Sequence, residues 1–325
     1  MNFQEFESFL INQNIPYESD VELKKKTWIH RGGKADLFVT PTNIQELENV
    51  MSVIYRQDIK HLLIGCTSNL YILNSTDIPI VVSTIKCNTY SIHNNVLECD
   101  CGVQVSHLAK QMISKGVKGF EYLTKLPGTV GAAICNNSTV KSPENSITSL
   151  LIDFDIITPQ GVKHLTKDDL HLDFRTSDIK KRILQGVILK ARMQITSGNA
   201  LELEEIARKN ETDRYRILEG PAHNLGCTVH KMHCLGPMPK RYAMPLRLYS
   251  KLLTYFVKDS IERKKYTKCF LLTISGHKRL IPYVSDKQLI TFVWRDENAD
   301  DYFEEYLQFM REICKTDQVE IEIIR

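Results

Sequence analysis

Short strand-like segments alternate with amphipathic segments over the first 195 residues, and this alternation restricts the fold more than any other feature. Clusters of β-branched and other apolar side chains predict strands at residues 36–40, 61–65, 79–84, 95–99, 150–158 and 186–195. Apolar side chains at helical spacing predict helices at residues 2–13, from Asn43 onward and at 103–115. Elements in this order pack as helices on sheets. We therefore predict two successive units, at residues 1–85 and 86–197.

Residues 198–325 are less regular and are predicted to form a third domain after a polar break at residues 197–199. Prolines at positions 221, 237, 239 and 245 predict a stretch that is largely loop, because proline lacks the N–H that helices and sheets use. Outside that stretch, helices are predicted at residues 201–210, 247–257 and 301–313. Strands are predicted at residues 269–275, 289–294 and 319–324.

Charge and cysteine content exclude several classes of partner and compartment. The 325 residues include 42 Lys+Arg and 39 Asp+Glu, which leaves a net charge of +3. So small an excess creates no field for nucleic acid or a membrane surface, and neither partner is predicted. The chain has nine cysteines, and its N-terminus lacks the basic start and apolar run of an export signal. These features predict reduced thiols in a cytoplasmic protein.

Two loops rich in glycine and small side chains are candidates for binding phosphate. Residues 65–70, Gly-Cys-Thr-Ser-Asn-Leu, follow a predicted strand and expose backbone N–H groups and hydroxyls. Residues 126–138 contain Gly128 and Gly131, which permit close approach of the backbone to a ligand. Neither loop matches the P-loop or the Rossmann fingerprint, and each taken alone is also typical of an ordinary turn. Because both occur in one chain, we interpret them together as a phosphate site.

A cluster of potential metal ligands lies in the third segment. Its members are His223, Cys227, His230, His233 and Cys234. Thiolate and imidazole are the ligands that zinc prefers, which leaves a zinc-binding module as a distant alternative. However, no second Cys/His pair follows at the spacing of a zinc finger, so no metal is predicted.

Several motifs occur in one order along the chain and together resemble a known enzyme family. They are Thr27-x-x-x-x-Gly32-Gly33-x-Ala35-Asp36, the loop at 65–70, Gly119-Phe120-Glu121-Tyr122-Leu123, Pro127-Gly128-Thr129-Val130-Gly131-Ala132, Phe174-Arg175-Thr176-Ser177, Gly226-Cys227-Thr228-Val229-His230-Lys231, Ser285-Asp286-Lys287 and Val319-Glu320-Ile321-Glu322-Ile323. In this order they resemble the UDP-N-acetylenolpyruvoylglucosamine reductases (MurB). The resemblance is good over residues 24–195 and looser over 214–232 and 284–325, whereas 233–283 matches no motif of the family.

The resemblance implies an α+β fold, with a two-part FAD-binding module of the vanillyl-alcohol-oxidase type and a C-terminal α+β domain that binds substrate. Such enzymes use NADPH and FAD to reduce an enolpyruvyl ether on a UDP-sugar to a lactyl ether, a step of peptidoglycan biosynthesis. The two loops would then hold the flavin pyrophosphate. The residues implied to bind the cofactor are Gly65, Thr67, Ser68, Asn69, Leu70, Pro127, Gly128, Thr129, Gly131, Ala132 and Asn136.

Three side chains match the family's catalytic positions. Arg175 corresponds to the cation and Glu322 to the acid beside the substrate carboxylate, where negative charge develops. Cys227 stands where the family most often has its serine proton donor, and a thiol with a pKa of about 8.5 holds a proton at neutral pH. Each has an alternative interpretation: a surface ion pair for the arginine, a solvent-facing strand position for the glutamate, and a small buried apolar group for the cysteine.

Four further residues are implied to contact substrate: Phe174, His230, Lys231 and Lys287. Phe174 replaces a tyrosine of the family, and His230 stands where a lysine is expected. These departures leave two hypotheses. The chain is either a working FAD-dependent reductase of an enolpyruvyl sugar nucleotide, or a divergent paralogue that binds flavin or nucleotide sugar without turnover. The sequence predicts no oligomeric state.

Overall fold

The computed structural model describes residues 3–218, 224–229, 237–294, 299–316 and 318–325. The strands in this part are β1 (Tyr17–Glu22), β2 (Lys34–Val39), β3 (Leu62–Ile64), β4 (Leu70–Ile72), β5 (Ile78–Ser83), β6 (Tyr90–His93), β7 (Val96–Asp100), β8 (Thr139–Val140), β9 (Ser142–Ser146), β10 (Leu151–Thr158), β11 (Gly161–Thr166), β12 (Val187–Gln194) and β13 (Glu322–Ile324). The helices are α1 (Phe3–Asn12), α2 (Ile44–Arg56), α3 (Val105–Ser114), α4 (Val130–Cys135), α5 (Ile147–Leu150), α6 (Ala200–Ile217), α7 (Lys240–Phe256), α8 (Ser260–Ile274) and α9 (Ala299–Cys314).

The chain divides into two compact units. The first comprises residues 1–68 and 75–211, and the second comprises residues 69–74 and 212–325. The short segment 69–74 therefore leaves the first unit and joins the second. This division is coarser than the predicted one, and the three-part boundaries stay a prediction.

The first sheet of the first unit has the strand order β1-β2-β5-β3. β1 and β2 are antiparallel, whereas β5 is parallel to both β2 and β3. The helix predicted from Asn43 forms as α2, because the Asn43 side chain accepts a hydrogen bond from the Glu46 N–H at 2.9 Å. α2 buries an apolar stripe that includes Leu47, Val50 and Met51.

The second sheet of this unit is antiparallel, with the order β11-β10-β12-β7-β6. Its inner face is apolar, with Phe154, Ile156 and Ala191 fully buried. The strands predicted at residues 95–99, 150–158 and 186–195 are confirmed as β7, β10 and β12. With helices and both kinds of sheet present, the predicted α+β class is confirmed.

The second unit combines helices α7, α8 and α9 with a two-stranded parallel sheet of β13 and β4. An aromatic cluster fills its core. The Tyr71 and Phe303 rings stack with centroids 3.9 Å apart, and Phe292 meets Phe303 edge-on at 5.1 Å. The Tyr71 hydroxyl also donates to Asp300 Oδ1 at 2.6 Å, which fixes β4 to the start of α9.

Three predictions for the third segment are wrong. Residues 269–275, predicted as a strand, belong almost entirely to α8. This helix starts at an N-cap in which the Asp259 side chain accepts from the Glu262 N–H at 2.7 Å, and it buries Leu271 and Leu272. Pro245 does not lie in a loop but within α7, which begins at Lys240. Residues 289–294 form only isolated bridges, at Phe292 and Val293.

Of the helices described, none is both long enough and apolar enough to cross a bilayer.

A charged network covers one face of the antiparallel sheet. Arg192 on β12 donates two hydrogen bonds to the Asp155 carboxylate on β10, at 2.8 and 2.9 Å, and its Nε donates to Asp153. Lys190 pairs with Glu98 on β7 at 2.9 Å. The bidentate hydrogen bond from Arg192 lowers the pKa of Asp155 below its ordinary value.

We expect Asp155→Ala to lower the free energy of unfolding by about 1–3 kcal/mol at neutral pH, because it removes two charge-assisted hydrogen bonds. Since the pKa of Asp155 is depressed in the folded state, its stabilisation is present above the unfolded pKa of about 3.9 and is lost as pH falls through the folded pKa. Urea unfolding at neutral and strongly acid pH measures this. The exposed Asp168→Ala is the control, and an equal effect of both variants would contradict the assignment.

Candidate functional site

The first glycine-rich loop follows β3 and offers unpaired donors. Thr67 is 8% exposed and has φ +55°, and its Oγ1 accepts a hydrogen bond from the Trp28 N–H at 2.7 Å. The backbone N–H groups of Cys66, Thr67 and Ser68 have no acceptor among the residues described. Three successive free amides on a strained loop can bind an anion.

The second loop, which leads into α4, lies against the first one. Thr129 is the N-cap of α4, and a Cβ placed on Gly65 would lie only 2.7 Å from Thr129 Oγ1. Gly128 has φ +111°, and a Cβ there would lie 3.6 Å from Ser68 Oγ. A Cβ on Gly131 would lie 3.0 Å from that of Cys101. Glycine at positions 65 and 131 therefore lets separate segments pack closely, and glycine at 128 permits the positive φ of the second loop.

The residues of both loops fit a diphosphate. Neither 65–70 nor 126–138 contains an acidic side chain, so nothing in them repels an anion. Burial raises the pKa of the Cys66 thiol to about 11, against a weaker opposing hydrogen bond from the Gly128 backbone, and this thiol stays neutral at physiological pH. We call the loop residues 65–68 and 127–132 the cradle.

The other residues predicted to bind cofactor lie in two places. Asn136 ends α4, where its Nδ2 donates to the Ala132 carbonyl at 3.0 Å. Asn69 and Leu70 fall in the second unit. There the Asn69 side chain donates to the Glu320 carbonyl at 3.0 Å, and Leu70 pairs with Glu322 of β13. The structure thus brings Gly65, Thr67 and Ser68 together with the second loop, and gives Asn69 and Leu70 partners within the second unit.

Arg175 lies in a turn that is fastened to α4. The Ser177 hydroxyl, fully buried, donates to the Cys135 carbonyl at 2.6 Å, and Asn137 Nδ2 donates to the Asp173 carbonyl at 2.8 Å. Arg175 itself has φ +55°, and its buried Nε has no hydrogen-bond partner within the described ranges. A half-buried guanidinium with an unsatisfied donor is suited to bind an anionic ligand. The neighbouring Phe174 is half-buried.

Cys227 lies in the second unit, in a segment held on two sides. Thr228 is fully buried, and both its N–H and its hydroxyl bond to the Ile290 carbonyl, at 2.8 and 2.9 Å. The Thr228 carbonyl accepts from the Glu320 N–H at 2.9 Å. The half-buried Cys227 thiol lies 3.2 Å from Gln288 Oε1, to which it donates. Gln288 was not predicted from the sequence, since 61 residues separate it from the cysteine.

The two C-terminal glutamates differ in environment. Glu322, the predicted acid, is exposed on β13 and forms no ion pair with any residue described. Glu320 is half-buried, and its Oε1 is buried with no hydrogen-bond donor in the same part of the chain. A buried carboxylate oxygen without a donor is costly unless a ligand supplies one. Glu320 is therefore a second candidate, which the alternation of the strand alone did not indicate.

Two lysines anchor the loop at residues 285–288: the buried Lys268, and Lys287, which bonds to carbonyls near the end of α6. Lys268 on α8 is 6% exposed and donates to the carbonyls of Ile281 and Val284 and to Asp286, at 3.0, 2.8 and 2.5 Å. Lys287, predicted to bind substrate, donates instead to the carbonyls of Tyr215 and Leu218 near the end of α6, at 2.9 and 3.0 Å. Its contact with substrate stays a prediction.

Some predicted residues lie outside the described residues. These are His230 and Lys231 of the substrate set, and His223, His233 and Cys234 of the cysteine–histidine cluster. Within the described ranges, no group of His, Cys, Asp and Glu side chains is arranged to hold a metal ion.

Known proteins resemble the chain in both sequence and fold. A family model described as an FAD-binding domain matches residues 35–166. A UDP-N-acetylenolpyruvoylglucosamine reductase from Caldicellulosiruptor bescii is 26% identical over 67% of this chain and 68% of its own length. The reductase of the same name from Prochlorococcus marinus subsp. pastoris is 29% identical over 61% of this chain and 67% of its own.

A solved structure extends the likeness to the whole fold. The UDP-N-acetylenolpyruvylglucosamine reductase (MurB) of Thermus caldophilus covers 96% of this chain and 100% of its own, with a TM-score of 0.67 and 18% identity. The family resemblance predicted from the motifs is thus confirmed. The matched FAD-binding domain includes both the loop at 65–70 and the loop at 126–138.

Proposed function

We propose that this chain, a divergent homologue of the UDP-N-acetylenolpyruvoylglucosamine reductases over two thirds of its length, is an FAD-dependent oxidoreductase that reduces the enolpyruvyl group of a UDP-sugar with NADPH. The observation that carries this proposal is the cradle, with three free amides beside glycines that let its two loops approach each other closely. The assignment of NADPH as reductant and of a UDP-sugar as substrate rests on the resemblance to this family. Both are small-molecule partners.

FAD, when bound, supplies the hydride chemistry, and the protein supplies binding and charge stabilisation. In the cradle, the free amides of Cys66, Thr67 and Ser68 would donate to the diphosphate. Ser68 Oγ adds a hydroxyl beside Gly128. None of these groups titrates near neutral pH, so cofactor binding is expected to be insensitive to pH in that range.

Arg175 is assigned to the substrate carboxylate. When a hydride reaches the β-carbon of an enolpyruvyl group, negative charge moves onto the carboxylate, and a fixed cation lowers the energy of that state. The unsatisfied Nε of Arg175 is a donor for it. The Ser177 hydrogen bond to Cys135 fastens the turn that carries the arginine to α4, whose first residues belong to the cradle.

Cys227 is assigned as the proton donor to the α-carbon. A thiol holds its proton at neutral pH and can donate it as a general acid. The Gln288 side chain accepts a hydrogen bond from Sγ, which orients the thiol proton in the absence of substrate. Glu322 is assigned as the acid partner at the carboxylate.

The second candidate function is binding of flavin or nucleotide sugar without turnover. Lys287 favours it, because the ammonium predicted to contact substrate donates instead to two backbone carbonyls of its own unit. Phe174 also lacks the hydroxyl that the family's tyrosine offers.

Anaerobic NADPH oxidation distinguishes the two functions. The FAD-loaded protein is mixed with UDP-N-acetylglucosamine enolpyruvyl ether or, as the matched control, with UDP-N-acetylglucosamine. We expect oxidation only with the ether, together with a product heavier by one hydrogen molecule in mass spectrometry. Binding of the ether without NADPH oxidation would contradict the reductase and support the non-catalytic alternative.

A further inference from the structure

Helix α7 presents an apolar stripe to solvent. Its side chains are large, and from half to four-fifths of each is exposed: Met244 69%, Leu248 66%, Leu252 50%, Tyr255 77% and Phe256 79%. Met244, Leu248, Leu252 and Phe256 recur every four residues, and Tyr255 lies three residues after Leu252, which places all five along one side of the helix. A surface helix usually turns such a stripe toward its own core, and a contiguous exposed patch of this kind marks a binding surface.

The exposed stripe is additional to the face that packs on the protein. Next to the stripe, seven and fourteen residues before Phe256, the Tyr249 ring stacks on Phe270 of α8 with centroids 4.2 Å apart, and Tyr242 is 8% exposed. This flank of α7 already packs within the second unit. The outward stripe would be costly in water without a second partner.

Basic side chains flank this stripe. Lys240, Arg247 and Lys251 are exposed at spacings of seven and four residues, which places them in a row along one edge of the apolar side chains. No acidic residue occurs from 240 to 258. Arg241 pairs with Glu312 at 3.9 Å, whereas the three residues of the row have no ion pair with any described acidic group.

We infer that α7 docks on a membrane surface rich in anionic lipid, with the apolar stripe among the acyl chains and the basic row at the headgroups. An exposed apolar face beside a lysine- and arginine-rich edge is the pattern of a helix that lies in the membrane interface. The charge of this row is local, which is why the net charge of +3 did not predict it.

The alternative occupants fit the charges less well. A second copy of the chain, paired antiparallel through the same stripe, would bring one basic row close to the other. A protein partner of different sequence would need a row of acidic side chains matched to this edge. An anionic bilayer complements both the apolar and the charged components at once.

Vesicle sedimentation of the full-length, FAD-loaded protein tests the inference. Vesicles of phosphatidylglycerol and phosphatidylcholine in equal parts should bind the protein, and phosphatidylcholine vesicles should bind it much more weakly. Lys251→Gln should weaken partitioning roughly fivefold, and Leu248→Ser roughly tenfold or more. The matched controls are Lys264→Gln, exposed on α8, and Ile183→Ser, 69% exposed in the first unit, and neither should change binding.

A second variant reports insertion directly. Tyr255→Trp should give blue-shifted fluorescence with the anionic vesicles and no shift with the neutral ones. Equal binding to both vesicles, or unchanged binding by Leu248→Ser, would overturn the inference. Self-association that Leu248→Ser abolishes, without vesicle binding, would overturn it too and would assign the surface to a second copy. Circular dichroism checks that each variant is folded, and none of these results depends on the reductase activity.

Discussion

Replacing Cys227 by alanine is expected to slow reduction of the enolpyruvyl sugar nucleotide by about 10²–10⁴-fold. The change removes the assigned proton donor, whereas the reduction of the flavin by NADPH does not use it. Stopped-flow absorbance separates the two half-reactions. The slow step should therefore be the reoxidation of the flavin by substrate, and its reduction by NADPH should keep its rate.

Two matched variants make this result specific. Cys227→Ser restores the side chain most often found in the family, and it should retain most of the activity. Cys269→Ala removes another half-buried thiol of the same unit, on α8, and should have no effect. Unchanged reoxidation in Cys227→Ala would remove the cysteine from the mechanism and leave it as a small buried side chain.

Gly128→Val is expected to weaken FAD binding by roughly 10–100-fold. Gly128 has φ +111°, which strains any side chain, and its Cβ would enter the cradle beside Ser68 Oγ. Titration of FAD fluorescence against the apoprotein measures the change in Kd.

The control for this variant lies in the same unit. Gly161 has φ +107°, and a Cβ placed on it would have no neighbour within 4 Å. Gly161→Val therefore adds a similar backbone strain away from the cradle. It should lower the free energy of unfolding and leave the Kd for FAD unchanged. Equal losses of FAD affinity in both variants would show that general destabilisation, and not obstruction of the cradle, is the cause.

The first unit was largely predictable because its signals are local. The Asn43 cap, the β-branched runs of β10 and β12, and the small residues of both loops each act within a few residues of sequence. A strand followed by a glycine-rich turn can be recognised without knowing the rest of the fold. That Gly65 meets Thr129 could not be predicted this way, because packing between separate segments decides it.

The second unit was predicted less well because tertiary packing overrides local pattern there. The apolar run at 269–275 has β propensity, yet the Asp259 cap and burial of Leu271 and Leu272 place it in a helix. Gln288 contacts Cys227 across 61 residues. Lys268, in a segment without family motifs, fixes the loop that carries Gln288 through two carbonyls and Asp286. No periodicity indicates such contacts.

The visible absorbance spectrum of the purified protein tests the central proposal most directly. Under anaerobic conditions, we predict an oxidised flavin spectrum that bleaches with NADPH and returns when the UDP-linked enolpyruvyl sugar is added. Replacing that sugar nucleotide by one without the enolpyruvyl group should leave the flavin reduced. A colourless protein that takes up no FAD, or a reduced flavin that the enolpyruvyl substrate does not reoxidise, would contradict the proposal.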